Sequence, residues 1–209
     1  MMESIKKEVK LAFTENKGII VASILIFFIS LILGYVFEPS LYSYFNPLVE
    51  DLTNKVQSGI IKITFHDIFL NNIMVVFRMF IYGLFFCISV LSLAFNGFFV
   101  GYFMATVPNL TSALILIIPH GIFEFPSCIL ACSSGLILFK FAYNLLKTFI
   151  KQKEMKFIDR IVYTYSENFD ILAHALIILF VASILMVIAG IVEAYVTLPL
   201  GSYLMSIIS

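Results

Sequence analysis

Residues 18–37, "GIIVASILIFFISLILGYVF", run for twenty positions without a charged side chain. Twenty residues is the length a helix needs to cross a hydrocarbon core about 30 Å thick. Lys17 precedes the run and Glu38-Pro39 closes it. It is too long for a signal-peptide core and lacks a small-x-small cleavage site, so it reads as an uncleaved signal anchor behind the mixed-charge segment "MMESIKKEVKLAFTENK" at 1–17. The rest of the 209 residues is built the same way, 61% hydrophobic and 12% charged, outside the range of soluble domains. The expected fold is an all-α integral membrane bundle forming a single domain over 1–209. Net charge is zero and the basic residues gather in two groups rather than along one stripe, which argues against nucleic-acid binding. Cys87, Cys128 and Cys132 all lie in apolar segments, where thiols pack as small hydrophobes.

Working outward, four more apolar runs follow, at about 72–94, 98–118, 119–143 and 171–194. "TFHD" at 64–67 has the spacing of a helix cap with an acid three residues on. "FNG" at 95–97 reads as a turn between the second and third spans. Val107-Pro108-Asn109 makes the third span broken or kinked, and Pro119 suits the first turn of the fourth. An outer loop at 38–71 is expected to hold interfacial helix, and a second loop spans 144–170. Lys6, Lys7, Lys10 and Lys17 precede the first span, while Lys147, Lys151, Lys153, Lys156 and Arg160 fill the 144–170 loop. By the positive-inside rule both groups are cytoplasmic, which five spans satisfy, leaving the C-terminus outside. A re-entrant third segment breaks this arrangement.

On that map Asn71, Asn72 and Arg78 near the start of the second span, His120 and Glu124 near the start of the fourth, and Glu193 at the end of the fifth share the outer side. Intramembrane ionisable groups are costly and tend to pair inside the bundle, so Arg78 with Glu124 or Glu193 is the first pairing to test. His120 and Glu124, one helical turn apart, share a face. The plainer reading is structural cement between helices; the sharper ones are a solute, ion or proton site, or a metal held by His120 and Glu124 with His66 or Glu193 as third ligand. A lone H-x-x-x-E is weak support for metal, and no metal or other cofactor is expected. Ser127, Ser133 and Ser134 lack a nucleophile-elbow context, and His174 falls on the opposite side. Gly97, Gly101 and Ala105, and likewise Ser127, Ala131 and Gly135, recur every fourth residue, the spacing of close helix packing between the third and fourth spans or between subunits.

Together "NN" at 71–72, Gly83, "NGFFVG" at 96–101, "PHGIFEFP" at 119–126 and "AGIVEAYVT" at 189–197 resemble the stage II sporulation protein M family over roughly two thirds of the chain. The motif positions carried over are Asn71, Asn72, Gly83, Asn96, Gly97, Gly101, Pro119, His120, Gly121, Glu124 and Glu193. Cys87 stands where the family pattern has another glycine, and Arg78 lies outside it. The resemblance implies a small multi-pass membrane protein, with a named member that recruits partners, cell-wall hydrolases among them, during engulfment in spore formers; many relatives occur where no spore is made.

The expected function is therefore a non-enzymatic, multi-pass scaffold of the cell membrane whose partners are the lipid bilayer, other membrane or envelope proteins and, compatibly, further copies of itself. A permease or channel-like protein using the broken third helix and the polar cluster is the alternative. An outer-side metalloenzyme is the third.

Overall fold

A bilayer offers backbone N–H and C=O groups no water to bond to, so a chain this apolar must satisfy them within helices. The computed structural model describes residues 2–57, 65–106, 110–197, 199–200 and 203. Among the described residues six helices follow one another: α1 (Met2–Glu15), α2 (Lys17–Gln57), α3 (Phe65–Tyr82), α4 (Phe86–Thr106), α5 (Leu110–Lys151) and α6 (Phe157–Val192), the last running into a π-helical turn, Glu193–Thr197. Four of them, α2, α4, α5 and α6, are long and apolar enough to cross a membrane. The apolar part of α3, Phe69–Tyr82, is shorter. The protein is a helical membrane bundle, and the expected five spans become four full-length helices plus a short one.

The breaks also differ from those expected. "FNG" is not a turn but lies inside α4, because Asn-Gly signals a turn only where water can take over the freed backbone groups. The break falls instead at Gly83-Leu84-Phe85, where the backbone bonds persist: Leu84 N–H donates to Ile81 O at 3.1 Å and Phe85 N–H to Tyr82 O at 2.9 Å. Pro119 does not start a helix; it and Pro126 sit inside α5, as Pro39 and Pro47 sit inside α2. Each proline removes one donor from the ladder, a loss that lipid-embedded helices tolerate where neighbours support the backbone. Most of the expected 38–71 and 144–170 loops is helix: α2 continues to Gln57, α5 to Lys151, and α6 begins at Phe157. The expected break at Pro108 lies outside the described residues.

Glycines set how the helices meet. A Cβ on Gly34 would overlap the Phe98 carbonyl, and one on Gly101 the Leu31 carbonyl; a Cβ on Gly97 would lie 2.6 Å from Phe27 O. So the Gly97/Gly101 stripe packs α4 onto α2, not onto the neighbouring span as expected. Phe27 meets Gly97 and Leu31 meets Gly101, which makes α2 and α4 run in the same direction. A Cβ on Gly83 would overlap the backbone of Gly135, seating the α3–α4 turn on α5. Helices α5 and α6 are antiparallel, with Ser127 Oγ donating to Ala182 O at 2.7 Å and Asn168 Nδ2 reaching Thr148 Oγ1 at 3.4 Å. The core around these two helices holds Cys128, Ala131, Cys132, Ile137, Ile178 and Met186, all buried. Cys87 is exposed and all three thiols are free.

One end of the bundle is basic. Asn16, between α1 and α2, lies 3.5 Å from His174 Nδ1, and α1 packs along α6. This brings the lysines of α1 and Lys17 to the end of the bundle where Lys140 and the 147–160 basic group also lie.

A polar cluster within the bundle

Side chains from three helices converge in the half of the bundle away from the basic end. Asn72 of α3 donates through Nδ2 to Glu193 Oε2 at 3.2 Å. On α5, His120 Nε2 lies 3.7 Å from Glu124 Oε2, the one-turn spacing that the sequence places on one face. His120 Nδ1 is 3.2 Å from Thr197 Oγ1 in the π-helical turn. One tautomer satisfies the ring: Nε2–H directed at the Glu124 carboxylate and Nδ1 accepting the Thr197 hydroxyl. Glu193 is near enough to act electrostatically on both His120 and Glu124. The cluster thus closes on itself across α3, α5 and the end of α6.

Its position along α5 differs from expectation. The sequence puts His120 in the first turns of its helix, but α5 begins at Leu110, so His120 stands ten residues in, about 15 Å along the axis. The turn that positions Glu193 and Thr197 is π-helical, with the Glu193 N–H directed at both Ala189 O and Gly190 O. Such turns are rare and concentrate at functional sites.

Two expected members are not in the cluster. Asn71 is exposed and makes no side-chain contact with the cluster among the described residues. Arg78 is also exposed and forms no ion pair among the described residues, so its expected pairing with Glu124 or Glu193 is not made. The reason is the position of the helix break: α3 ends at Tyr82, which sets Arg78 one to two turns from the α3–α4 turn and toward the basic end. Among the packing positions, Gly121 is buried with the ring of Phe125 occupying the space its missing Cβ leaves, and that ring lies 5.2 Å from the ring of Phe27. Asn96 lies in α4 with its Oδ1 buried and without a hydrogen-bond partner among the described residues. His66 is exposed at the start of α3, and among the described residues no group of three His, Cys, Asp or Glu side chains is placed to hold a metal ion.

Thr197 is a member that the sequence reasoning missed. Its signal was present: it follows Glu193 by four residues, as Glu124 follows His120. A second polar contact was missed altogether, with His174 Nδ1 3.6 Å from Glu15 Oε2 and 3.5 Å from Asn16 Nδ2.

Every residue of the deeper cluster falls within 23–198, the part of the chain that matches the family model for stage II sporulation protein M. The chain belongs to the stage II sporulation protein M family. Within it, the uncharacterized protein MJ0793 of Methanocaldococcus jannaschii is 30% identical over 192 residues, covering 90% of this chain and 98% of its own length. A second protein of that organism, the uncharacterized protein MJ0706, is 28% identical over 210 residues, covering 96% of this chain and 91% of its own. No solved structure matches the chain. The two relatives match this stage II sporulation protein M homologue along nearly its whole length.

Proposed function

We propose that the protein is a non-enzymatic membrane platform that recruits partner proteins through the α5–α6 hairpin at its basic end. The feature that carries this reading is an exposed apolar face on the helical arms that run past the lysine closing the long apolar stretch of α5. Beyond Lys140, α5 continues to Lys151, and α6 runs from Phe157 to Asp170 before its apolar part begins; these arms extend about 18–21 Å past the apolar segments. Leu146, Ile150, Ile158, Val162 and Tyr165 are all exposed on them, at 45 to 74%. Apolar surface of this extent rimmed by charge marks an interaction site. The two arms brace each other, because the Arg160 guanidinium sits 3.4 Å over the Phe149 ring and ties the start of α6 to the end of α5. The resemblance to a family whose named member recruits envelope proteins supports the same reading, with the basic end in the cytoplasm and the C-terminus outside.

Co-purification from native membranes, with quantitative mass spectrometry, tests it. Wild-type protein is expected to carry a reproducible partner that an Ile158→Asp, Val162→Asp double variant loses while accumulating normally. An unchanged set of co-purifying proteins, or none with the wild type, counts against it.

A second reading rests on the half-buried His120, Glu124 and Glu193 cluster: a solute or proton site in a permease-like protein. Reconstituted vesicles decide it, through flux that Glu124→Gln abolishes. In the platform reading the same variant lowers accumulation and leaves no flux to lose.

A further inference from the structure

Among the described residues Arg78 has no ion-pair partner, and its surroundings show what it is built to meet. It is the only lysine or arginine between Lys62 and Lys140. It stands five residues before Gly83, and the α3–α4 turn that follows exposes Leu84, Phe85 and Phe86. Lipid-exposed irregular backbone does not occur inside the hydrocarbon layer, so this turn marks its edge. Gly83 is seated on Gly135, five residues short of Lys140, which places that edge at the basic end. Arg78 therefore lies about 8 Å inside the bilayer, within snorkelling reach of the headgroups.

Arg78 lines a groove of 560 Å³ between α3 and α4, together with Val75, Met79, Tyr82 and Leu91 among others. Asn96, with its buried and unpartnered Oδ1, forms part of the same wall. A second groove of 380 Å³, lined by Ser30, Leu33 and Phe98, lies against α2. The two share Leu91 and Phe95, so one ridge of α4 separates two apolar furrows, each of a volume that small-molecule ligands fill.

We propose that this surface binds one anionic phospholipid of the basic-end leaflet, its phosphate on Arg78 and its two acyl chains in the furrows on either side of the Leu91–Phe95 ridge. Three observations select this occupant. A pure hydrocarbon would leave Arg78 without an anion, whereas the planar guanidinium matches a phosphate in a bidentate fashion. Two furrows with a shared ridge fit a molecule with two chains and one head. Tyr82 stands at the headgroup level beside Arg78, where tyrosines take one apolar and one wet contact. The α3–α4 hairpin, which carries no other lysine or arginine, gains through that lipid its anchor to the basic-end surface.

Full-length protein in detergent, titrated with phosphatidylglycerol and separately with phosphatidylcholine and read by native mass spectrometry, tests the proposal. Wild type is expected to bind phosphatidylglycerol roughly 10- to 100-fold more tightly, the range that one charge-assisted contact supplies. Arg78→Gln removes the preference, and Arg78→Lys restores part of it with a smaller ratio because the fork geometry is lost. Leu91→Ala weakens both lipids alike. Equal binding of the two lipids by wild type overturns the proposal, and that comparison needs no variant to fold. So does a phosphatidylglycerol preference that Arg78→Gln leaves intact while the variant keeps its native melting temperature. The remaining occupant is a second protein chain placing a carboxylate on Arg78; an Arg78→Gln change in oligomer mass with no change in lipid binding would select it and discard the lipid.

Discussion

Asn72, inside α3, and Gly83, just past its C-terminal end, lie eleven residues apart and hold that helix in place by opposite means. Asn72 acts through a hydrogen bond to Glu193, and such interhelical bonds in membranes contribute about 0.6 kcal/mol on average and up to ~1.7. Gly83 acts by absence, since a Cβ there would overlap the Gly135 backbone, which has no rotamer to yield. Thermal unfolding in detergent should therefore rank the variants: Asn72→Leu costs on the order of 1 kcal/mol, while Gly83→Val costs roughly 3 kcal/mol or more because helices must separate. The reverse order would mean that the polar cluster rather than the glycine contact seats α3. Asn96→Leu should leave stability unchanged or raised by up to about 1 kcal/mol, because it deletes a buried acceptor without a partner among the described residues; a clear loss would show that Asn96 has a partner of its own in the membrane. At this scale the sequence was half legible. The one-turn spacing of His120 and Glu124 announced their contact, and the placement of Asn72 with Glu193 followed from shared depth. The pairing expected of Arg78 failed because residue type says that a membrane arginine needs an anion but not that the anion belongs to the protein.

At the scale of the element, composition decided helix everywhere, and local turn signals failed to decide where helices stop. Asn-Gly at 96–97 and Pro119 are strong punctuation in water, yet α4 and α5 run through both. The cost of freeing backbone groups in lipid exceeds the local preference of the residues. The break that does form, at Gly83-Leu84-Phe85, carries one glycine among apolar residues; it is seated by the close approach to Gly135, and Ser89 Oγ donates across it to Met79 O at 2.9 Å. The junction of α1 and α2 is different, since Asn16 marks it in the sequence: its Nδ2 donates to Ala12 O at 2.9 Å while its carbonyl accepts from Ile19 N–H and Ile20 N–H. Asn16→Ala removes both the side-chain bond and the contact with His174. The expected outcome is faster proteolysis or hydrogen exchange confined to α1, with the melting temperature of the remaining bundle little changed; uniform loss of protection would show that α1 is integral to the core.

For the whole molecule, the two basic groups that sequence reasoning assigned to one side are brought to one end by the packing of α1 along α6 and the contact of Asn16 with His174. From His174 to Glu193 is 19 residues of α6, about 28 Å, close to a hydrocarbon thickness of about 30 Å. The two polar contacts of α6 thus bracket the apolar layer, which fixes the helix in depth. In a Cys87→Ser background, cysteines introduced at Ser4 and at Lys153 should react with a membrane-impermeant thiol reagent only after the membrane is opened, and one at Ser40 without opening it. Labelling of Ser4→Cys and Lys153→Cys from opposite sides would refute the shared end. What the sequence determined by itself is the solvent the chain lives in, the helical class that solvent enforces and the polar residues too costly to be idle, because these depend on composition and short-range spacing alone. What only the tertiary structure decided is where the helices break, which glycines face which backbones and which polar groups meet, because each depends on atoms far apart in the chain: Gly83 turns where Gly135 is there to receive it, and that turn leaves Arg78 exposed and apart from Glu124 and Glu193.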